Sequence, residues 1–549
     1  MGEAFSDRCE GLLTGRYDCV DRIVLNAYFS LGSSPGGFRT WWRRWRGDDG
    51  ELDNTHLMRL AGRFARRVRG WAAANGILVI DCGRGERKHL IAAEYLATHN
   101  VTPGVFLILV ARAPVPVWEV RRSPDGAVIW NLAKKTAYVN HYSFHIMDPD
   151  WGHLVIKMSS HPPFAAQVIL NGHEYVACAA HRAGIGFVKE DNCFTRVDDL
   201  AGLAQIAETL SSPEAVGRLG QVIDRWIYTA CLCFGLDLAD QDRTLFRYSY
   251  SVYQVEYSRN LVFACGQVMD AVFDTLAARV RSGLDVPRLR RLFGARRRPA
   301  GTGEPSMKLA TTLERPVWDL TIFKAHFGLL TVKAYSKGER VLRLEAITHN
   351  TKSLGVGRVL DRFGDIVTRL GQICDRFDVV CDCVDTAFVP DGLLDDLPRP
   401  ARVGTARVAG VNLDSPRIRA VLASVVALSP LPGGFTVADL TSKVAAMTGV
   451  TGYTTRQAAY DLKKLRGKHL LDKPARTHRY HVSPDAIRAV AALLTLREKV
   501  IAPLVAGIRD DLDHTPSTCT RIDRNYQRLR ADLRVLFHDL GITTAPAAA

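Results

Sequence analysis

The sequence predicts an α+β protein with a mixed α/β N-terminal region, a strand-rich middle region and a helical C-terminal region ending in a helical tail. Three observations predict it. Short apolar runs alternate with amphipathic helical stretches up to residue 111. Between 138 and 177, segments of period two are punctuated by turn residues. From 430 onward, apolar residues recur at spacings of three and four. The 549 residues allow about three or four domains. The expected divisions are 1–135, 136–290, 306–400, 415–485 and 486–549.

The elements follow in order. Cys19–Tyr28 is an apolar run of strand type, closed by the turn residues Gly32–Gly37. Next comes Trp41-Trp42-Arg43-Arg44-Trp45-Arg46, where aromatics interleave with arginines. Trp42, Arg43, Arg44 and Trp45 are candidates to stack bases and neutralise phosphates, of RNA or DNA. The alternative is an amphipathic helix with its tryptophans in the core and its arginines reaching solvent. Leu57, Leu60, Phe64, Val68 and Trp71 recur at helical spacing. Asp81 with Glu86 and Lys88 superficially fits a nuclease pattern, but Glu86–Lys88 reads better as the start of a helix.

His141-Tyr142-Ser143-Phe144-His145 and His153–Met158 read as paired strands across a turn at 148–152. Period two puts His141, Ser143 and His145 on one face, and His153, Val155 and Lys157 on one face of the return strand. Such a density of histidines makes His141 and His145 candidate metal ligands. A half-exposed polar sheet, or a face that binds polyanions, is the plainer alternative. Tyr248, Tyr250, Tyr253 and Tyr257 read as a helix packed on a sheet; the alternative is a stacking platform beside Arg247 and Arg259. The stretch 294–305, rich in Gly, Pro and Arg, reads as a linker.

Composition narrows the function. Lys and Arg number 72 against 57 Asp and Glu, a net charge of +15, which favours polyanionic partners. From Ala401 to Ala549 there are 22 basic and 12 acidic residues, so 22 − 12 = +10 of that excess is C-terminal. No apolar run reaches about 18 residues, so no membrane span is expected. The N-terminus has no signal pattern, and the twelve cysteines contain no CxxC. Both point to a cytoplasmic protein with reduced thiols. GxxxxGK[ST] is absent, which argues against ATP-driven work.

The most chemical segment is Leu329–Ile347, read as strand, turn, strand. Alternation puts Lys333, Tyr335 and Lys337 on one face of the first strand, and Arg343 and Glu345 on one face of the second. This set suits phosphodiester chemistry. The cations hold phosphate oxygens, Glu345 holds a divalent metal (Mg²⁺ or Mn²⁺ if the site is catalytic), and Tyr335 is a candidate nucleophile. The alternative is a salt-bridged sheet face. Over about 20 residues, Tyr335-x-Lys337 followed by Arg343-x-Glu345 resembles the core of rolling-circle replication initiators of the Rep-trans class. That resemblance implies nicking of DNA by a tyrosine. The chain departs from it in having no tyrosine between Tyr335 and Tyr453.

Near the C-terminus, Phe435–Met447 reads as one helix and Thr455–Arg466 as a second, followed by a basic turn and the strand 477–482. The segment resembles a winged helix-turn-helix. The resemblance implies that the second helix enters the major groove of DNA. Thr455, Arg456, Gln457 and Tyr460 would then lie at base edges, and Lys463, Lys464, Lys468, Arg476 and Arg479 at phosphates. The tail helices offer a surface for a homodimer. The chain as a whole resembles an uncharacterised set of bacterial proteins of actinobacterial type, on segments such as 139–148 and 169–175. The reading is a DNA-binding protein of replication-initiator or mobile-element type, with strand nicking if the hairpin is a site. Its rivals are a non-catalytic regulator and an RNA-binding protein.

Overall fold

The structure, a computed structural model, describes residues 4–273 and 321–497, except 84, 125–127, 328, 339, 386–389 and 450–451, and a few positions between 525 and 532. The expected linker at 294–305 lies outside the described residues, as does most of the expected tail. The chain divides into two units. One is Leu12–Met269 with Val317–Cys374; the other is Met1–Gly11, Asp270–Pro316 and Asp375–Ala549. None of the described helices is long and apolar enough to cross a membrane.

The first unit is built on one ten-stranded sheet. Its strands are β1 (Leu13–Phe29), β2 (Leu78–Asp81), β3 (Gly104–Arg122), β4 (Ile129–Asp148), β5 (Gly152–Ser159), β6 (Ala166–Asn171), β9 (Tyr248–Phe263), β10 (Thr321–Phe327), β11 (Leu330–Lys337) and β12 (Val341–Thr348). A separate hairpin holds β7 (Phe187–Glu190) and β8 (Cys193–Val197). The order in the large sheet is β10-β11-β12-β9-β1-β6-β5-β4-β3-β2. Neighbours are antiparallel except β2 and β3, which are parallel. The sheet therefore draws strands from the three stretches 1–135, 136–290 and 306–400 that local pattern separates. The tyrosine-rich stretch expected as a helix is the strand β9, held between β1 and β12. Pairing with partners some 240 and 90 residues away in sequence overrides the local signal.

Strand alternation gives the sheet two unlike faces. On one, Tyr142, Phe144 and Ile146 of β4 and Leu154, Ile156 and Met158 of β5 are buried. The helix Asn54–Ala74 packs there, with the Phe64 ring 5.0 Å from that of Tyr142. The helix Pro35–Arg46, capped by Ser34 and opened by Pro35, adds Phe38, Trp41, Trp42 and Trp45 to this core. The opposite face carries polar residues on strand after strand, Ser143, His145, His153, Lys157, Asn171, Glu256, Ser258, Asn260, Arg343, Glu345, Lys333 and Tyr335, with Met147, Val155 and Ile169 among them. The helices Lys88–Thr98 and Gly172–Arg182 and the β7–β8 hairpin cover parts of this face.

The second unit contains the helices Pro416–Leu428, Val437–Thr448, Thr455–Gly467 and Pro484–Leu496. Capping boxes at Thr436/Asp439 and Thr454/Gln457 start the second and third of these. Two antiparallel bridges, Phe435 to Tyr480 and Asp472 to His481, close the chain after the third helix. Val421, Leu440, Leu462, Leu465 and Val490 are buried in its core.

Candidate functional site

The hairpin residues do come together. β11 and β12 place Lys333 opposite Glu345 and Tyr335 opposite Arg343. Lys333 Nζ lies 2.5 Å from Glu345 Oε2, and the Tyr335 hydroxyl donates to the same oxygen at 3.3 Å. They are buried, however, rather than presented to a substrate. Arg343 is wholly buried, and Glu345 and Tyr335 are nearly so. Arg343 donates to Asn260 Oδ1 at 2.7 Å and to the Asn192 carbonyl, and pairs with Asp21 at 3.3 Å. Asp21 in turn lies 2.6 Å from His173 Nδ1 and accepts from the Ser258 hydroxyl at 3.1 Å. Lys337 lies 3.6 Å from Asp191, on the loop of the β7–β8 hairpin.

Burial pushes Glu345 up to about 7, against the pull of Lys333. Burial pushes Asp21 upward too, but His173 and Arg343 outweigh it and hold the carboxyl below its ordinary range. Burial also drives the Tyr335 hydroxyl well above its ordinary value, the opposite of what a nucleophilic phenolate needs. The local sequence builds this knot in part through Gly172. A Cβ there would lie 1.8 Å from the Val20 carbonyl, so only glycine lets the helix Gly172–Arg182 start against β1 and set His173 on Asp21.

The metal set expected at Glu345, His141 and His145 does not form. Among the described residues, the trio of donor groups within 4.8 Å of one another is Cys19, Asp21 and His173, fully buried. The Arg343 guanidinium already supplies positive charge to Asp21 there, which disfavours a divalent cation.

The same polar face opens, further along, into a cavity of about 510 Å³. Ser143 and His145 of β4 and His153 and Lys157 of β5 form its floor, with Arg22, Lys88, Glu174 and Glu256 around them. Ser143 sits directly opposite Lys157 across the strands, and Lys88 Nζ lies 3.3 Å from the Ser143 hydroxyl. His145 Nδ1 and His153 Nε2 are 3.0 Å apart. The whole group disfavours protonation. Burial and then the positive charges of Lys88 and Lys157 push His141 down to about 4. Burial, His153 and the same two lysines push His145 down to about 3. Burial lowers Lys157, and Arg22 and Lys88 add to it. Sequence reasoning placed Lys157 on the correct face but did not single it out. It also took Lys88 only for a helix start. The strand alternation of β5 was the signal available for the first; nothing local signals the second.

The other expected nucleic-acid contacts divide. Trp42 and Trp45 are core residues, so they do not stack on bases. Arg43 pairs with Asp49 at 2.6 Å, while Arg44 is exposed. In the second unit, Thr455, Arg456, Tyr460 and Arg476 are exposed and Lys463 is half-buried. Gln457 is also exposed, but its Oε1 accepts from the Thr454 N–H in the capping box. Lys464 is largely buried beneath Tyr460, its Nζ 5.0 Å from the ring. Lys468 is buried on Asp396 at 2.9 Å, so it is not a phosphate contact. Arg479 donates to the Gly434 carbonyl at 3.0 Å. The chain matches no family model, no curated protein and no solved structure.

Proposed function

We propose that the protein binds duplex DNA through residues 415–485, folded as a winged helix, and acts as a regulator rather than as a nicking enzyme. One observation carries the binding half. Arg456 and Lys463 on the helix Thr455–Gly467, and Arg476 on the loop between the two bridges, have no carboxylate within ion-pair distance among the described residues, although several cations of the same unit are paired. Three helices followed by two bridges around an exposed basic loop fit the order of a winged helix. The burial of Tyr335, Arg343 and Glu345 supports the non-catalytic half, because a strand of DNA cannot reach groups enclosed by their own partners.

The test is fluorescence anisotropy with labelled duplexes selected from a random pool. Arg456→Ala should relax preference at one base pair at a cost of about 1–3 kcal/mol. Lys463→Ala should weaken all duplexes alike and make the salt dependence shallower. Equal affinity of the wild type and the Arg456→Ala/Lys463→Ala/Arg476→Ala variant would remove the DNA-binding reading. A covalent adduct or nick on supercoiled DNA with Mg²⁺ or Mn²⁺, lost in Tyr335→Phe, would restore the initiator reading.

A further inference from the structure

We propose that the cavity over β4 and β5 binds a terminal phosphate group, carried by a small phosphomonoester or by the end of a nucleic-acid strand. The argument starts from charge. Arg22, Lys88 and Lys157 surround one space, and among the described residues none has a carboxylate within ion-pair distance. The two carboxylates on the wall do not neutralise them. Glu174 is held by Lys189 at 2.6 Å. Glu256 accepts from Gln254 at 2.8 Å, and burial pushes it toward its neutral form. Like charges gathered in a partly buried space cost free energy unless an anion enters.

The helix Lys88–Thr98 makes the same point independently. Its cap is Arg87, with no side-chain cap bond, its first residue is Lys88, and its first turn holds no acid. Two cations thus sit at the positive end of a helix, where anions are favoured. The imidazoles add no anion beside these cations: His145 and His153, 3.0 Å apart from Nδ1 to Nε2, line the cavity as groups that burial pushes toward their neutral form.

The donor set selects the ligand class. Two ammonium groups, Lys88 and Lys157, and the Arg22 guanidinium line the space from a helix and from two different strands. A carboxylate offers two oxygens in one plane. A terminal phosphate offers three, with up to two charges, and so matches converging donors better. The volume falls within the range of small-molecule sites, so there is room for a nucleotide-sized body behind the phosphate.

The test uses the full chain without duplex DNA, and the residues lie outside 415–485, so its failure is separate from failure of the DNA reading. Calorimetric titrations compare adenosine 5′-monophosphate with adenosine, and a 5′-phosphorylated trithymidylate with its unphosphorylated form. At least one phosphorylated probe should bind about tenfold or more tightly than its unphosphorylated partner. The tighter of the two phosphorylated probes identifies the source of the phosphate. The Lys88→Gln/Lys157→Gln variant should lose about tenfold or more of that affinity while its melting temperature stays level or rises. Lys88→Gln alone, at a half-exposed helix start, serves if the double variant does not fold. No binding of any probe, equal binding with and without phosphate, or wild-type affinity in the variants would overturn the proposal.

Discussion

Two stretches of one sheet face make an instructive contrast. On β11 and β12 every charge is answered: Lys333 by Glu345, Lys337 by Asp191, and Arg343 by Asp21 and Asn260. Around the cavity over β4 and β5 the charges are not answered: Lys157 of β5 and Lys88 of the covering helix face each other's field and a pair of neutral imidazoles. Both stretches contain the residue types of phosphate chemistry. A charge that is buried and paired stabilises the fold, whereas a cation gathered with others and left without a counter-ion stores free energy that a ligand releases. The residue types do not distinguish the cases; the partners do.

The largest expected effect breaks the paired end. Arg343→Ala removes one partner of a fully buried ion pair and leaves Asp21 with only His173 and Ser258. It should lower stability by about 3–5 kcal/mol, read by urea denaturation with unchanged slope. A loss below about 1 kcal/mol would show that the knot is not structural and would reopen it as a site.

Acid sharpens the contrast. The unfolded histidines take up a proton near pH 6.5, but folded His141 and His145 do so only near about 4 and about 3. Over that window the unfolded chain binds more protons, so stability is full above pH 6.5 and is lost as pH falls. Glu345 works in the other direction. Its carboxyl is pushed up to about 7, so its contribution is present below the unfolded value near 4.5 and is lost as pH rises through 7. For these three groups the two histidines outweigh the carboxyl by on the order of 1–2 kcal/mol from pH 7 to pH 5, and His153, His161 and His173, which burial also pushes down, add to the loss. Melting temperatures across that range check it. The His141→Asn/His145→Asn variant should make the profile shallower.

The smaller effects come from single neutralisations. Glu345→Gln leaves Lys333 beside a neutral amide. Because that lysine is a quarter exposed, the cost should stay near or below about 1 kcal/mol. Lys157→Gln should do the reverse at the open end, raising stability by about 0–1 kcal/mol, since it removes an unpaired charge. Opposite signs for these two substitutions in the same melting assay would confirm the contrast, and equal signs would dissolve it.

Much of the local structure was legible. The alternation of β4 and β5, the turn at 148–152 and the amphipathic helices rest on residues within a few positions of one another, whose preferences act locally. The sequence alone also placed Lys333, Tyr335 and Lys337 on one face and Arg343 with Glu345 on another, and the register joins them. Local pattern failed at Tyr248–Phe263, where the sheet decides the conformation; at Trp42 and Trp45 it left two readings open, and burial chose the amphipathic helix with its tryptophans in the core.

What tertiary structure decided is which charges meet. Asp21, His173 and Arg343 lie more than 150 residues apart in sequence yet share one buried knot, and Arg22, Lys88 and Lys157 share one cavity. Strand order and the seating of two helices bring them together, and these follow from burial of the opposite apolar face. The chemistry of a residue is written in the sequence. Whether that residue is neutralised or left to receive a ligand depends on contacts between segments that the chain itself keeps far apart.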